Sequence, residues 1–404
     1  MSELSVNQEQ DGSIALLNTP FERDGTKIAN RLVAQPMERS ASTQKGELTS
    51  ELISEYITLA KGHWGILHVE AMSVTSQYRS RKGQLVLDDA TSRDLKDLLV
   101  KMWECAPETK YIVQLTVPGV VTGDGLEKST IISSVHDANP AIKLLSDGDI
   151  DGIIDAFKHA IDLAIDAGID GIDIKACHGY LGAEFLRPAN TRPGPYGGSI
   201  ENRTRFFKEL VIHARNAANN AGKKDFLLGS RVSVAEYIIG GIGTAGPCEF
   251  IEDLAEVKHI ASMLCAWGEN FINVTAGIPA QVPEITRPVK NVPWGIWNHF
   301  RLTKAIKDHL SSEGQHPAII GSAYSMLGKD LPHYAGKNIM DEAVDLIGLG
   351  RQVLADPAYP EKLFSCSQQI NFCKGCGSCA QLLREQQHVG CAFYNPAFKS
   401  SLRT

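Results

Sequence analysis

Short, mostly apolar runs recur along the chain, and the stretches between them repeat their apolar positions at helical spacing. The runs predict strands buried on both faces, and the spaced stretches predict amphipathic helices laid over them. RLVAQPM (31–37) reads as the first strand, followed by a helix from about Ser50 to Lys61. GILHVEA (65–71) and YIVQL (111–115) read as the second and third, with a helix over 92–105 between them. Residues 116–148 read as one long loop, a length usually kept for function. Ile154, Phe157, Ile161, Ala164 and Ile165 mark one face of the next helix. GIDGIDIK (168–175) gives strand four, and Ser199 is placed to cap a helix running to about Asn219. FLLGSRVSV (226–234) gives strand five; Phe250, Leu254, Val257, Ile260 and Leu264 define the helical face after it. FINVTAG (271–277), PAIIGS (317–322) and VDLIGLG (344–350) complete the set.

Eight strand–helix units favour a parallel sheet closed into a TIM (β/α)8 barrel. A doubly wound open sheet is the alternative, but no Gly-rich nucleotide turn follows the first strand. The expected organisation is a barrel over 1–365, with 1–28 covering its bottom, and a Cys-rich extension over 366–404.

Composition narrows the function more than the fold. With 43% apolar and 22% charged residues the chain is an ordinary globular one. A net charge of -7 offers no basic face, which argues against nucleic acid or an anionic membrane as partner. No apolar stretch is long enough for a membrane span, and the polar start MSELSVNQEQDGS lacks a signal-peptide pattern. The expectation is a cytoplasmic protein acting on a small molecule; a homo-oligomer is compatible with it.

Catalysis in a barrel sits where the strands end. Those ends carry Pro36, Met37 and Glu38; Ala71; Gln114; Lys175, His178 and Tyr180; Arg231; Gly321 and Ser322; Gly350 and Arg351. Gly321, Ser322, Gly350 and Arg351 suit a phosphate, through close backbone N–H groups and a guanidinium fork. They equally suit tight turns and a surface ion pair. Lys175, His178 and Tyr180 can all donate hydrogen bonds or protons. Alternatively, Lys175 points to solvent and His178 is structural.

The stretch DIKACHGYLGAEFLRPANTRPGPYGGSIENRTRFF (173–207) resembles the old yellow enzyme family of FMN-dependent oxidoreductases, a likeness that extends from about Asn30 to Tyr359 through NRLVAQPM, VEA, VQL, SRVS and LIGLGRQVLADP. The resemblance implies FMN across the barrel mouth, with Pro36, Met37 and Ala71 along its ring, Gln114 at its pyrimidine edge, Arg231 beside N1 and O2, and Gly321, Ser322, Gly350 and Arg351 at its phosphate. It implies a substrate carbonyl held by Lys175 and His178, and protonation by Tyr180 after hydride transfer from the flavin.

Two residues depart from the family pattern. Lys175 stands where His or Tyr is common, and suits an enolate or a carboxylate. Glu38 stands where Thr or Cys is common. Its carboxylate would oppose flavin reduction, unless Arg39 or Lys175 pairs with it.

FCKGCGSCAQLLREQQHVGC places Cys373, Cys376, Cys379 and Cys391 at a spacing that suits a metal centre. It resembles the 4Fe–4S loop after the barrel in trimethylamine dehydrogenase and bacterial 2,4-dienoyl-CoA reductase. Structural zinc is the plainer reading. Those relatives carry nucleotide-binding domains beyond the barrel, and this chain ends thirteen residues after Cys391. Electrons are therefore expected from NAD(P)H docking on the flavin, or from an electron-transfer protein through the cluster. The function expected is reduction of an activated C=C bond of an unsaturated carbonyl or carboxyl compound. An amine or alcohol dehydrogenase or demethylase passing electrons to the cluster is the alternative. A lyase using Lys175 as a Schiff-base nucleophile is a third.

Overall fold

The computed structural model describes residues 12–23, 25–289, 292–367 and 369–399. Eight parallel strands close into a barrel: β1 (Leu32–Ala34), β2 (Ile66–Ser73), β3 (Lys110–Thr116), β4 (Gly171–Ala176), β5 (Leu227–Ser233), β6 (Phe271–Thr275), β7 (Ala318–Gly321) and β8 (Leu346–Leu349). Closure is made by β8 against β1, with Ile347 opposite Leu32. The open-sheet alternative is thereby excluded.

Residues two apart on a strand share a face, and this periodicity sorts the barrel into layers. Ile172 and Ile174 point out to the helices and join the main core. Val33, Ile66, Ile112, Leu227, Phe271, Ala318, Ile320 and Leu346 form a separate apolar cluster low in the barrel. Phe21 and Ile28 join this cluster from an antiparallel hairpin, Phe21–Arg23 paired with Thr26–Ile28. The hairpin thus closes the end opposite the site. Residues 1–11, the start of the expected bottom cover, lie outside the described residues.

Above the apolar floor lies a polar layer. Gln35 and Asn273 exchange amide hydrogen bonds at 2.9 Å, and Asn273 and Gln114 both donate to Asp173. Gly348 makes room for it: a Cβ there would meet Gln35 Nε2 at 2.0 Å.

The helices follow the predicted faces with two exceptions. The helix Asp147–Ala167 opens on a capping box between Ser146 and Asp149, and buries Ile154, Phe157, Ile161, Ala164 and Ile165. Ser199 caps Ile200–Asn220. Phe250, expected on a helical face, is 63% exposed in a loop, because that helix begins only at Ala255. The stretch read as a bare loop holds a helix, Ser133–Ala138, and a two-stranded sheet of Ser129–Thr130 and Lys143–Leu144.

Among the described residues, no helix is long and apolar enough to cross a membrane.

Candidate active site

A cavity of about 510 Å³ opens at the C-terminal ends of the strands, a size suited to a small-molecule site. Its wall brings together Pro36, Met37, Glu38, Gln114, Lys175, His178, Tyr180, Arg231, Ser322, Gly350, Arg351 and Cys379. Ala71 and Gly321 are not on this wall. Ala71 sits at an irregularity in β2, buried, with its carbonyl accepting from Gln84 Nε2 at 2.8 Å. Gly321 packs below the surface against Val344 and Tyr324.

The end of β4 aims the reactive side chains. His178 (φ 62°) and Gly179 (φ 78°) both take left-handed backbone. For a histidine this costs energy, and it turns the chain sharply. The His178 N–H donates to Ser233 Oγ at 3.2 Å, which pins the turn, and Nε2 lies 3.2 Å from Thr275 Oγ1. Burial, then the fields of Arg231, Lys175 and Arg287, hold the imidazole well below its ordinary value, so it is neutral at physiological pH.

Lys175 does not point to solvent. It is 8% exposed, and its Nζ lies 3.4 Å from the centroid of the Tyr180 ring. This cation–π contact restrains an otherwise flexible stem.

Glu38 pairs with neither Arg39 nor Lys175. It accepts from Arg81 Nη1 at 3.1 Å and Ser80 Oγ at 2.8 Å, and faces the Tyr180 hydroxyl at 3.3 Å. Arg39 instead lies 3.6 Å from Glu55. Arg81 also donates to the Tyr180 oxygen at 3.1 Å and to the Leu383 carbonyl at 3.3 Å. Burial works against its charge, but Glu38 and Tyr180 outweigh that and raise its value. Nothing in the strand ends flagged Arg81, which lies in the loop after β2.

Asp173, beneath the cavity, is fully buried, and burial pushes its carboxyl up to about 6 against the pull of Arg231. It accepts from Gln114 Nε2 at 3.0 Å and from the Arg231 N–H at 2.8 Å. An acid inside an apolar strand is the sequence signal that could have found it. Arg231 Nε and Ser322 Oγ are buried without a hydrogen-bond partner among the described residues. Ala323, also on the wall, holds φ 78°.

The Cys-rich segment packs over this mouth. The Val389 N–H donates to the Arg39 carbonyl at 2.7 Å, and Leu382 is fully buried, in a cluster with Leu354 and Val389 that also packs Met37. Gln352 ties the segment down, donating to the Asn371 carbonyl at 2.8 Å and accepting from the Cys373 N–H at 3.0 Å. Cys379 reaches the cavity wall; Cys373, Cys376 and Cys391 do not. Burial raises the Cys379 thiol, with Cys373 and Cys376 adding to the rise against Arg351 and Arg287. Burial likewise raises Cys373, with Cys391 and Cys376 adding. Among the described residues, no three His, Cys, Asp or Glu side chains form a preassembled metal site.

A family model described as "NADH:flavin oxidoreductase / NADH oxidase family" matches residues 17–369. An NADPH dehydrogenase of Bacillus pumilus is 30% identical over 351 residues, covering 85% of this chain and 93% of that protein. An NADH oxidase of Thermoanaerobacter brockii is 28% identical over 86% of this chain, which spans 51% of that longer relative. Among solved structures, a complex of 2-naphthoyl-CoA reductase matches with TM-score 0.79 at 21% identity, covering 96% of this chain and 58% of the other. Histamine dehydrogenase from Rhizobium sp. 4-9 matches with TM-score 0.74 at 21% identity, covering 97% and 54%. At that identity these two likenesses speak for the fold alone.

Proposed function

Because this chain belongs to the NADH:flavin oxidoreductase / NADH oxidase family, an FMN-dependent one, we propose that it reduces activated carbon–carbon double bonds conjugated to a carbonyl or carboxyl group. The observation that carries this reading is one wall of the cavity. There Lys175 and His178 present donors beside a Tyr180 hydroxyl bracketed by Arg81 and Glu38.

The residues present fit FMN. The unpartnered Arg231 Nε and Ser322 Oγ, with Gly350 and Arg351, are cavity-lining donors awaiting an anionic, heteroatom-rich ligand. Pro36 and Met37 would flank its ring, Gln114 and Arg231 would meet its pyrimidine edge, and Ser322, Gly350 and Arg351 its phosphate. Asp173 takes the Gln114 amide N–H, so the amide oxygen is left for the ligand. When bound and reduced by NAD(P)H, FMN supplies the hydride.

The protein does the rest. Lys175 and the neutral His178 donate to the substrate oxygen, where negative charge gathers as the β-carbon is reduced. Tyr180 then gives its proton to the α-carbon. Arg81 and Glu38 hold the phenol in place and neutralise one another, so Glu38 presents no free anion to the flavin.

We also infer that Cys373, Cys376, Cys379 and Cys391 hold a 4Fe–4S cluster rather than zinc. The support is that Cys379 lies on the cavity wall, where a redox centre has a use and a structural zinc has none. A cluster would supply one-electron redox chemistry at the cavity wall. Iron and acid-labile sulfide at about four each per chain is the expected analysis; zinc alone would refute it.

A Schiff-base lyase loses its motivation, since Lys175 is engaged with the Tyr180 ring in a flavoenzyme. Reduction of a cyclic enone by NADPH in deuterated water tests the main reading. Solvent deuterium at the α-carbon and a pyridine-nucleotide hydride at the β-carbon are expected. The absence of any reduced product across a panel of enones and unsaturated acids would refute it.

A further inference from the structure

The cavity is rich in cations. Arg81, Lys175, Arg231, Arg287, Arg351 and Arg384 all line it, and Glu38 is the single carboxylate on the wall. The lining histidines His178 and His299 are both held below their ordinary values by burial, so they add no charge at neutral pH. A bound phosphate, which carries at most two negative charges, and the Asp173 carboxyl beneath Arg231 offset part of this charge on one side of the cavity.

Four of the six have partners or an evident use. Arg81 is held by Glu38, and Lys175 lies over Tyr180. Arg351 donates to the Pro288 carbonyl at 2.6 Å, beside Ser322 and Gly350 on the phosphate side. Arg231 sits above Asp173 at the expected flavin edge. Arg287 and Arg384 remain. Among the described residues, neither guanidinium has a hydrogen bond or an ion pair. Arg287 is half-buried, and burial pushes it below its usual value, with Cys379 pulling the other way and Arg384, Arg351 and Arg81 adding to the fall. Arg384 ends the helix Ser378–Arg384 and is exposed at the rim. Both arginines line the same cavity as Lys175 and His178. A half-buried guanidinium on the cavity wall, with no hydrogen bond or ion pair among the described residues, is favoured by a ligand that supplies both.

We propose that Arg287 and Arg384 form a receiving site for an anionic group, carboxylate or phosphate, on the ligand whose other end reaches Lys175 and His178. The substrate class is then an unsaturated carbonyl compound with an anionic tail. The tail anchors at the rim and sets which carbon faces the flavin. The same charge could belong to the phosphates of the nicotinamide nucleotide. That the tailed ligand is reduced rests on the enone-reductase reading; the anion site itself does not.

The test uses the FMN-loaded protein, an enone with a carboxylate on a three-carbon tail, and the methyl ester of that compound. Wild type should favour the acid over the ester in kcat/KM by at least about tenfold, and 0.5 M salt should shrink the preference. R287Q and R384Q should each shrink it severalfold, the double variant should abolish it, and R287K should restore most of it. If R287Q and R384Q instead weaken NADPH in the anaerobic reductive half-reaction at least tenfold, the anion received is the nucleotide phosphate. If neither compound turns over, equilibrium titration of the flavin absorbance reads binding directly. Acid-selective binding lost in R287Q would then uphold the anion site while the reductase reading fails. Equal binding of acid and ester in wild type, with NADPH affinity unchanged in the variants, overturns the proposal.

Discussion

The guanidinium of Arg81 donates to the phenol oxygen of Tyr180 at 3.1 Å and to the carboxylate of Glu38 at the same distance. One cation thus holds both the proposed proton donor and the acid beside it. It also reaches the Leu383 carbonyl at 3.3 Å, tying the Cys-rich segment to the barrel.

Arg81→Met should therefore be costly. It leaves Glu38, 8% exposed, without its cation. Breaking a buried pair from one side costs about 3–5 kcal/mol, and denaturant unfolding of the variant should fall in that range. Adding Glu38→Gln should recover part of the loss, because no uncompensated charge remains.

Arg231→Met should lower the flavin midpoint potential. A fixed cation at the pyrimidine edge favours the reduced, more negative flavin. A loss of roughly 1.4 kcal/mol corresponds to about 30 mV for a two-electron couple, and a spectroelectrochemical titration should find a drop of tens of millivolts. An unchanged potential would remove Arg231 from the flavin edge.

Glu269 predicts a pH signature of folding. Buried, with Ser230 Oγ donating to one oxygen at 2.6 Å and the other oxygen without a partner among the described residues, it is pushed up to about 8 by burial from an ordinary 4.5. The native state therefore holds this proton more tightly than the unfolded chain. The associated stability is complete below pH 4.5 and is lost as pH rises through about 8. Glu269→Gln removes the titration, so the stability of the variant relative to wild type should climb between pH 5 and 8.5. A parallel pair of stability curves would contradict this.

The barrel was legible because its strands are short apolar runs and its helices keep one apolar face, as in Asp147–Ala167. Most of the site was legible because barrel chemistry collects at strand ends, where Lys175, His178, Tyr180 and Arg231 lie. Arg81, Arg287 and Arg384 were not. They come from loops and from the C-terminal segment, and only folding brings them to the strand ends. The partner of Glu38 was missed for the same reason, since Arg81 is 43 residues away. Phe250 was misplaced because a helical spacing in a short window says nothing about where the helix starts.

The most direct test is the oxidative half-reaction. The FMN-loaded protein, fully reduced under anaerobic conditions, is mixed with a cyclic enone while the flavin absorbance is followed. Wild type should reoxidise as the enone is consumed, and Tyr180→Phe, which keeps the ring under Lys175 but removes the proton, should be slower by about 10²–10⁴ while its reduction by NADPH stays near wild type. Reoxidation of Tyr180→Phe at the wild-type rate, or a wild-type flavin that stays reduced with every enone, would contradict the account.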